Sequence, residues 1–210
     1  LMSPSKQKLL GGLIMLIGKR PRIKGQDIID FKDLLAGGTS YGNHRASVDD
    51  ICALQYTGGT TGPSKGVMLT QSCLTANVAQ ALDVISFAPE SARYSVTALP
   101  LPLYHIYAFS LCVGVLPALR GHSVLIPDPR NIPLLIKAIK RSKIQIFCGL
   151  NSLFVALLEN KDFRRLDFDQ LKMTLSGGMP LMKSVADRWQ KVTGCIVSEG
   201  YGMTESSPII

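Results

Sequence analysis

From Asp49 onward, short runs of apolar, β-favouring residues alternate with segments whose apolar residues have helical spacing. The strands that this pattern predicts lie at residues 51–56, 95–99, 123–126, 144–148, 171–176 and 195–199. The predicted helices lie between them, at residues 71–86, 106–119, 132–140, 153–158 and 182–193. Thr70 or Ser72 is the expected N-cap of the first helix, and Gly121 and Gly194 are expected helix ends. Such alternation predicts an α/β fold with a mostly parallel sheet and helices on both faces.

A loop rich in glycine and hydroxyl side chains follows the first predicted strand. Residues 56–67 read Tyr-Thr-Gly-Gly-Thr-Thr-Gly-Pro-Ser-Lys-Gly-Val, and a second short apolar run at 67–69 predicts a strand on its other side. Glycines let backbone N–H groups converge, hydroxyls add donors, and Lys65 adds a compact positive charge. The spacing is not that of a Walker A loop. The composition indicates an anion-binding loop, and a flexible linker is the alternative.

Aromatic, glycine-rich and titratable segments follow three more predicted strands. They read Pro-Leu-Pro-Leu-Tyr-His-Ile-Tyr at 100–107, Gly-Gly-Met-Pro at 177–180 and Gly-Tyr-Gly-Met-Thr-Glu at 200–205. Because ligands of parallel sheets collect at the carboxyl ends of the strands, we expect these segments to converge with the glycine loop. Each has an ordinary structural explanation alone. His105 is then a hydrogen-bonded histidine, the glycine pair is a turn before a helix, and Glu205 is a solvated carboxylate.

The position of the charges restricts the kind of partner. The net charge is +8, but six positive charges and no acid lie in residues 1–26, which leaves about +2 for the other 184 residues. A near-neutral body argues against a nucleic-acid partner, whereas a basic end suits a tail or an anionic surface. The five cysteines are odd in number and never spaced as C-x-x-C, so we expect reduced, packed thiols in a cytoplasmic protein. With three histidines at no ligand spacing, a structural zinc site is not expected.

The basic end also contains an apolar run at residues 9–18, between Lys8 and Lys19. The run is too short to span a bilayer. A buried helix and a segment lying on the inner face of the cell membrane are both compatible with it. Residues 28–46 have the polar composition of a connector. We therefore predict an N-terminal segment at 1–48 and an α/β core at 49–210.

The three motifs in this order resemble the signatures of the adenylate-forming superfamily, which includes acyl-CoA synthetases, luciferases and peptide-synthetase adenylation domains. Residues 56–67 resemble its phosphate-loop signature, 200–205 its second signature and 177–180 its intermediate glycine turn. Within that superfamily Gly59, Met179 and the Leu-Pro-Leu-Tyr-His-Ile segment are most similar to the bacterial long-chain fatty acid CoA ligases. The resemblance implies that the chain is part of the large N-terminal domain of such an enzyme, and that residues 49–210 are its incomplete nucleotide- and acyl-binding core.

The resemblance also implies a reaction, its co-substrates and roles for individual residues. A fatty carboxylate would attack the α-phosphate of ATP, and the thiol of CoA would then displace AMP. The implied catalytic residues are Lys65, His105, Thr204 and Glu205, with Glu205 as the Mg²⁺ ligand. The implied ATP-binding residues are Thr57, Gly58, Gly59, Thr60, Thr61, Gly62, Ser64, Lys65, Gly177, Gly178, Met179, Pro180, Gly200, Tyr201, Gly202 and Thr204. His105 is expected to position the acyl carboxylate rather than to act as a base.

The superfamily's later Tyr-x-x-Gly-Asp segment and its lid domain, which carries a catalytic lysine, would lie beyond Ile210. The chain is therefore expected to have little or no turnover alone. Small-molecule substrates are the expected partners. Two other functions stay open: an acyl-AMP ligase that transfers to a carrier protein, and a nucleotide-binding fragment without catalysis.

Overall fold

The computed structural model describes residues 31–38, 42, 45–58, 64–86 and 93–210. The chain divides into two units, residues 1–45 and 46–210. In the first unit, helix α1 (Phe31–Gly37) lies where the sequence pattern predicts only a connector. The predicted domain boundary after residue 48 stays a prediction. All elements described below belong to the second unit.

The apolar N-terminal run at residues 9–18 and its flanking basic side chains lie outside the described residues. The proposed contact of this segment with a membrane surface therefore stays a prediction. In the part of the chain that the structure describes, no helix has both the length and the apolar character needed to cross a membrane.

The first two strands form a hairpin that is separate from the main sheet. Strand β1 (Ile51–Thr57) pairs antiparallel with β2 (Lys65–Thr70) in a two-stranded sheet. The prediction that the glycine loop joins two strands is confirmed. The prediction that the first strand belongs to the parallel sheet is wrong, because a connection as short as residues 58–64 returns the chain antiparallel, whereas a parallel pair requires a long crossover.

Five strands form the parallel sheet, in the order β4-β3-β5-β6-β7. They are β3 (Val96–Leu99), β4 (His122–Leu125), β5 (Ile146–Gly149), β6 (Met173–Ser176) and β7 (Val197–Glu199). Each begins and ends close to a run that the sequence predicts as a strand. The α/β fold with a parallel sheet is therefore confirmed.

The helices of this unit follow the sequence prediction closely. They are α2 (Gln71–Ser86), α3 (Ile106–Ser110), α4 (Leu116–Ala118), α5 (Ile132–Ser142), α6 (Asn151–Glu159) and α7 (Lys183–Thr193). The Thr70 hydroxyl accepts from the Cys73 N–H at 3.3 Å and so caps α2, and Gly194 ends α7 with φ +73°. After α4 the left-handed residue is Arg120 (φ 54°), not the predicted Gly121.

The predicted helix at residues 106–119 is not regular along its length. A π-helical turn, Leu111–Val115, separates α3 from α4. It contains Gly114, where a side chain would collide with a methyl group of Val78 on α2. The glycine thus allows the backbone of the turn to approach α2, a contact between elements that the hydrophobic pattern does not reveal.

Alternate residues of β5 point into two separate cores. Phe147 belongs to a cluster with residues of α5, α6 and α7, such as Phe154 and Trp189. Ile146 and Cys148 belong to the second cluster, which α2, α3, α4 and the π turn complete. Helices therefore cover both faces of the sheet, which is why β5 has a continuous apolar sequence.

The cysteines differ in exposure. All five are free thiols; Cys148 and Cys195 are buried and Cys112 is partly buried. Cys52 and Cys73 are exposed, so the prediction of packed thiols is wrong for these two. Cys52 lies on the hairpin, where alternate positions face outward because that sheet has only two strands.

A hydrogen bond inside the first core predicts a measurable stability difference. Trp189, the single tryptophan, donates its indole N–H to the Thr174 hydroxyl at 3.0 Å. Thr174→Val keeps the side-chain shape but leaves this N–H buried without an acceptor. We expect the free energy of unfolding to fall by about 1–3 kcal/mol in denaturant titrations followed by tryptophan fluorescence.

Thr97→Val is the matched control. The Thr97 hydroxyl is buried and has no hydrogen-bond partner among the described residues, so its removal is expected to leave the free energy of unfolding unchanged or slightly higher. An equal loss of stability in both variants would contradict the assignment of the Trp189–Thr174 bond.

Candidate active site

The strand order defines a crevice at the carboxyl edge of the sheet. From β3 the chain moves outward to β4, then returns to the other side of β3 and continues through β5, β6 and β7. The helix after β3 contributes Ala108 to one core, and the helix after β5 contributes Phe154 to the other. Because the two connections leave toward opposite faces, the carboxyl ends of β3 and β5 flank an open crevice, where ligands of such sheets bind.

A close contact brings three strand exits together beside this crevice. The ring of Tyr107, after β3, lies against Gly177, the first residue after β6. A Cβ atom on Gly177 would lie 3.3 Å from that ring and 3.5 Å from the carbonyl oxygen of Gly200. The N–H of Gly200, after β7, donates to the Ser176 carbonyl at 2.8 Å. The absence of a side chain at position 177 therefore lets the Tyr107 ring lie close to the exit of β6, and the Gly200 hydrogen bond joins the exits of β6 and β7.

An open, mostly apolar surface continues from this contact. Gly178 has φ +77°, and a Cβ atom there would have only the Leu150 side chain within 4 Å. Met179 is 45% exposed and Tyr201 is 71% exposed, while Pro180 is exposed beside them. A flat glycine surface next to an exposed aromatic ring is suited to a flat heteroaromatic ring such as adenine.

The segment after Tyr201 folds back on itself. Gly202 forms an antiparallel bridge with Ile209, and a side chain on Gly202 would collide with the Pro208 carbonyl. Between these positions, Thr204–Ser206 forms a single 3₁₀ turn in which Glu205 is exposed. The glycine at 202 is thus required by a close backbone approach that presents the Glu205 carboxylate to solvent.

Asn77, on α2, holds this segment in place. Its side-chain amide donates to the Ile209 carbonyl at 2.8 Å, and its side-chain oxygen accepts from the Ile209 N–H at 3.2 Å. Asn77 is 5% exposed and Ile209 is 37% exposed, so both bonds are partly shielded from water. Strand β2 contacts the Thr204–Ser206 turn as well. The strand that begins at Lys65 and the turn that carries Glu205 are therefore neighbours.

Paired residues at the ends of β1 and β2 flank the glycine loop. Thr57 lies opposite Lys65, and its hydroxyl donates to the Lys65 carbonyl at 3.5 Å. The Tyr56 ring covers Gly66, where a Cβ atom would lie 3.3 Å from it. Gly58 and Ser64 are exposed at the loop ends. The predicted phosphate-binding residues between them lie outside the described residues: Gly59, Thr60, Thr61 and Gly62.

His105 is the N-cap residue of α3. Its Nδ1 atom accepts from the Tyr107 N–H at 3.3 Å, so Nδ1 carries no proton and Nε2–H is left as a donor. The Tyr104 carbonyl beside it accepts from the Gln55 side chain at 2.5 Å, which links this segment to β1. The imidazole is exposed, and its geometry suits a hydrogen-bond donor better than a base.

Two buried titratable groups, the Tyr107 hydroxyl and the Cys148 thiol, lie next to the crevice. Burial, reinforced by the neighbouring Cys148, raises the pKa of Tyr107 well above its usual value. Burial likewise raises the pKa of Cys148 to about 12, although the Tyr107 hydroxyl offsets part of that rise. Both groups are therefore neutral near pH 7, and Cys148 is not an activated nucleophile. Among the described residues the Ser176 hydroxyl is buried and has no hydrogen-bond partner.

The possible metal ligands near the site are compatible with a magnesium ion that takes most of its ligands from a nucleotide. In the described ranges there is no group of three or more histidine, cysteine or carboxylate side chains that would form a protein-only metal site. Mg²⁺ commonly uses one or two carboxylates and takes its other ligands from phosphates and water. Glu205, exposed on its turn, is compatible with that arrangement.

Three residues that the sequence reading missed organise the site. Besides Asn77, Asn151 accepts from the Met182 N–H at 3.0 Å and Glu199 accepts from the Leu181 N–H at 3.3 Å. Asn151 and Glu199 lie at the ends of β5 and β7, so inspection of every strand exit would have found them. Asn77 lies in the middle of a helix, and no sequence signal distinguishes it.

The fold and the meeting of these strand exits define an α/β protein with a nucleotide-type site at the carboxyl edge of its sheet. Residues 12–210 match the family described as AMP-binding enzyme, and the chain belongs to that family. The roles assigned above to individual side chains stay predictions.

Named relatives and solved structures agree with this family. The chain is 38% identical over its whole length to a long-chain-fatty-acid–CoA ligase of Haemophilus influenzae, and 40% identical over 90% of its length to that of Salmonella typhimurium. It spans 38% and 34% of those two proteins. ATP-bound MatB of Rhodopseudomonas palustris superimposes with a TM-score of 0.70 at 26% identity, over 98% of this chain and 40% of that one.

A second solved structure shows the same fold at lower identity. The Bacillus subtilis o-succinylbenzoate CoA synthetase, in complex with ATP and magnesium, superimposes with a TM-score of 0.66 at 23% identity. The superposition covers 79% of this chain and 33% of that one.

The two bonds of Asn77 predict a local effect. Asn77→Ala removes both partners of Ile209, so we expect faster amide hydrogen exchange in residues 201–210 and a free energy of unfolding about 1–3 kcal/mol lower. The amide exchange rates of β5 should rise only as far as the lower free energy of global unfolding requires. Gln80→Ala is the control, because Gln80 contacts the Asn77 amide but not Ile209. Equal protection of residues 201–210 in all three proteins would contradict the role of Asn77.

Proposed function

We propose that the chain is the ATP- and acyl-binding part of a long-chain fatty acid CoA ligase. The observation that carries the proposal is the meeting of the 177–180 turn with the 200–205 segment around Tyr107, at the edge of the sheet where ligands bind. The identity of 38% with the Haemophilus influenzae ligase supports a fatty acid as the acyl substrate. Because the chain spans 38% of that ligase, the complete activity is proposed for a longer parent protein.

The proposed reaction has two steps. In the first, a carboxylate oxygen of the fatty acid bonds to the α-phosphorus of ATP, and the bond from that phosphorus to the pyrophosphate oxygen breaks. In the second, the thiol of CoA loses its proton and attacks the acyl carbon, and AMP leaves. The products are acyl-CoA, AMP and pyrophosphate.

The charge of the departing pyrophosphate is the main electrostatic demand on the site. The hairpin loop would meet it with backbone N–H groups, hydroxyls and Lys65, whose pairing with Thr57 fixes where β2 begins. Glu205 would hold Mg²⁺, which supplies charge neutralisation between the phosphates. Thr204 would donate to the α-phosphate. The contact between β2 and the Thr204–Ser206 turn supports a shared role for these residues.

The adenine and the carboxylate would occupy different parts of the crevice. Tyr201 and Gly178 offer the exposed flat surface for adenine, with Met179 extending it toward the acyl group. His105 would direct its free Nε2–H at the carboxylate while Nδ1 stays bonded to the Tyr107 N–H. It therefore positions the nucleophile without accepting a proton.

The metal role of Glu205 predicts a large effect on the parent enzyme. Glu205→Gln removes one charge from the magnesium site, so we expect fatty-acid-dependent pyrophosphate release to fall about 100-fold, with a higher magnesium requirement. Glu199→Gln is the matched control. Its carboxylate accepts from the Leu181 N–H, so that variant should keep the magnesium requirement of the unaltered enzyme.

The same assay separates the candidate functions. Unaltered activity in Glu205→Gln would overturn the assigned metal role. Failure of the parent to form acyl-CoA from ATP, Mg²⁺, a fatty acid and CoA would overturn the ligase proposal. Accumulation of acyl-adenylate without acyl-CoA would instead favour transfer to a carrier protein, and mass spectrometry of the products distinguishes the two.

A further inference from the structure

One face of the β1–β2 hairpin is apolar and exposed. In the antiparallel register Leu54 lies opposite Met68, and Tyr56 lies opposite Gly66. Leu54 is 57% exposed, and Tyr56 and Met68 are each 66% exposed. Alternate residues of a strand and their cross-strand partners share one face of a sheet. Leu54, Tyr56 and Met68 therefore form one surface, which we call the outer face of the hairpin.

The opposite face of the hairpin packs against the rest of the second unit. Leu69 is 2% exposed, and the Gln55 side chain donates to the Tyr104 carbonyl. Strand β2 also contacts α2 and the Thr204–Ser206 turn. The hairpin is thus held through one face, while its outer face meets solvent.

A two-stranded sheet with an apolar outer face is unusual as a finished structure. In the described ranges β1 and β2 pair only with each other. Such a hairpin is marginally stable in water, and further strands or a covering element normally protect its edges and its apolar face. Tyr56 has a local role, because its ring covers Gly66. The exposure of Leu54 and Met68 does not follow from that contact.

The size of the outer face restricts the kind of partner that can cover it. Three side chains exposed to this extent offer about 400 Å² of surface. A stable interface between separate proteins needs about 800 Å² from each partner. A segment of the same polypeptide needs less, because it loses little translational and rotational freedom when it packs. The area therefore favours a cover from within the polypeptide over a second copy or another protein.

The lengths of similar proteins indicate where such a cover would come from. The superposition on MatB includes 98% of this chain but 40% of that protein, and the chain spans 38% of the Haemophilus influenzae ligase. A parent protein of similar size would have more than half of its residues outside 1–210. That length is ample for an additional strand or helix.

We propose that an apolar strand or helix of the parent polypeptide, from outside residues 1–210, packs on the outer face formed by Leu54, Tyr56 and Met68. The inference rests on the longer parent that is part of the proposed function, but not on the reaction that this parent catalyses. Because Thr57 and Lys65 end the paired strands, the cover also restricts the motion of the residues that flank the glycine loop.

Amide hydrogen exchange in residues 51–57 and 65–70 tests the proposal without any substrate. We expect exchange in these strands to be at least about tenfold slower in the parent than in the 210-residue chain, beyond any slowing in β5. The β5 strand is the internal reference for a difference in global stability. Equal exchange of the hairpin in the two proteins, relative to β5, would overturn the proposal.

A pair of substitutions locates the cover on the outer face. In the 210-residue chain Leu54→Lys with Met68→Lys should change hairpin exchange less than about twofold, because both side chains already face water. In the parent the same pair would bury two charges, so hairpin exchange should become about tenfold faster. Leu125→Lys with Leu134→Lys is the matched control. These residues are exposed on β4 and α5, and their replacement should leave hairpin exchange in the parent unchanged.

The other possible covers give different results. An equal effect of the hairpin pair in both proteins would overturn the proposal. So would protection that appears in the 210-residue chain when it is concentrated, which indicates a second copy, or protection that requires phosphatidylglycerol vesicles, which indicates a membrane surface. If the altered parent does not fold, the comparison of the two unaltered proteins still decides.

Acyl-CoA formation by the unaltered parent is measured separately. A parent that forms acyl-CoA but has an unprotected hairpin would overturn this inference alone. A parent with a protected hairpin that forms no acyl-CoA would overturn the ligase proposal alone.

Discussion

The candidate site depends on one close contact, between the ring of Tyr107 and the backbone at Gly177. Strands β3, β6 and β7 end at the same edge of the sheet, but that topology alone does not make their exits touch. The lack of a side chain at Gly177 lets the Tyr107 ring lie 3.3 Å from the position that a Cβ atom would occupy, while the Gly200 N–H donates to the Ser176 carbonyl. Because burial keeps Tyr107 and Cys148 neutral, this contact introduces no charge behind the crevice.

Two further sets of contacts position the predicted charged groups, Glu205 and Lys65, near this apolar centre. Asn77 fixes the segment that carries Glu205 through two partly buried hydrogen bonds to Ile209. The Gln55–Tyr104 bond and the contact of β2 with the Thr204–Ser206 turn attach the hairpin formed by β1 and β2. Since the hairpin is not part of the parallel sheet, side-chain and turn contacts position it. The residues predicted to bind phosphate and metal therefore come from elements that are held in place by different contacts.

Much of the fold is predictable from the sequence because most strands coincide with short apolar runs, and because α2 and α7 have recognisable capping residues, Thr70 and Gly194. The element limits of α2 and the turn at Gly194 illustrate this. The antiparallel pairing of β1 with β2 was not predicted, since an apolar run does not reveal its partner. Motif order identifies the site segments, but Asn77 has no local pattern, and the order of strands that creates the crevice depends on contacts distant in sequence.

Photolabelling with 8-azido-ATP in the presence of Mg²⁺ tests the central claim most directly. In the 210-residue chain the label is expected in the peptide that contains Tyr201, and excess ATP should prevent it. Gly177→Ala adds a Cβ atom against the Tyr107 ring, so labelling of that peptide should fall while the Trp189 fluorescence of the folded core is retained. Equal labelling of Tyr201 peptides in both proteins, or labelling confined to other parts of the chain, would contradict the account.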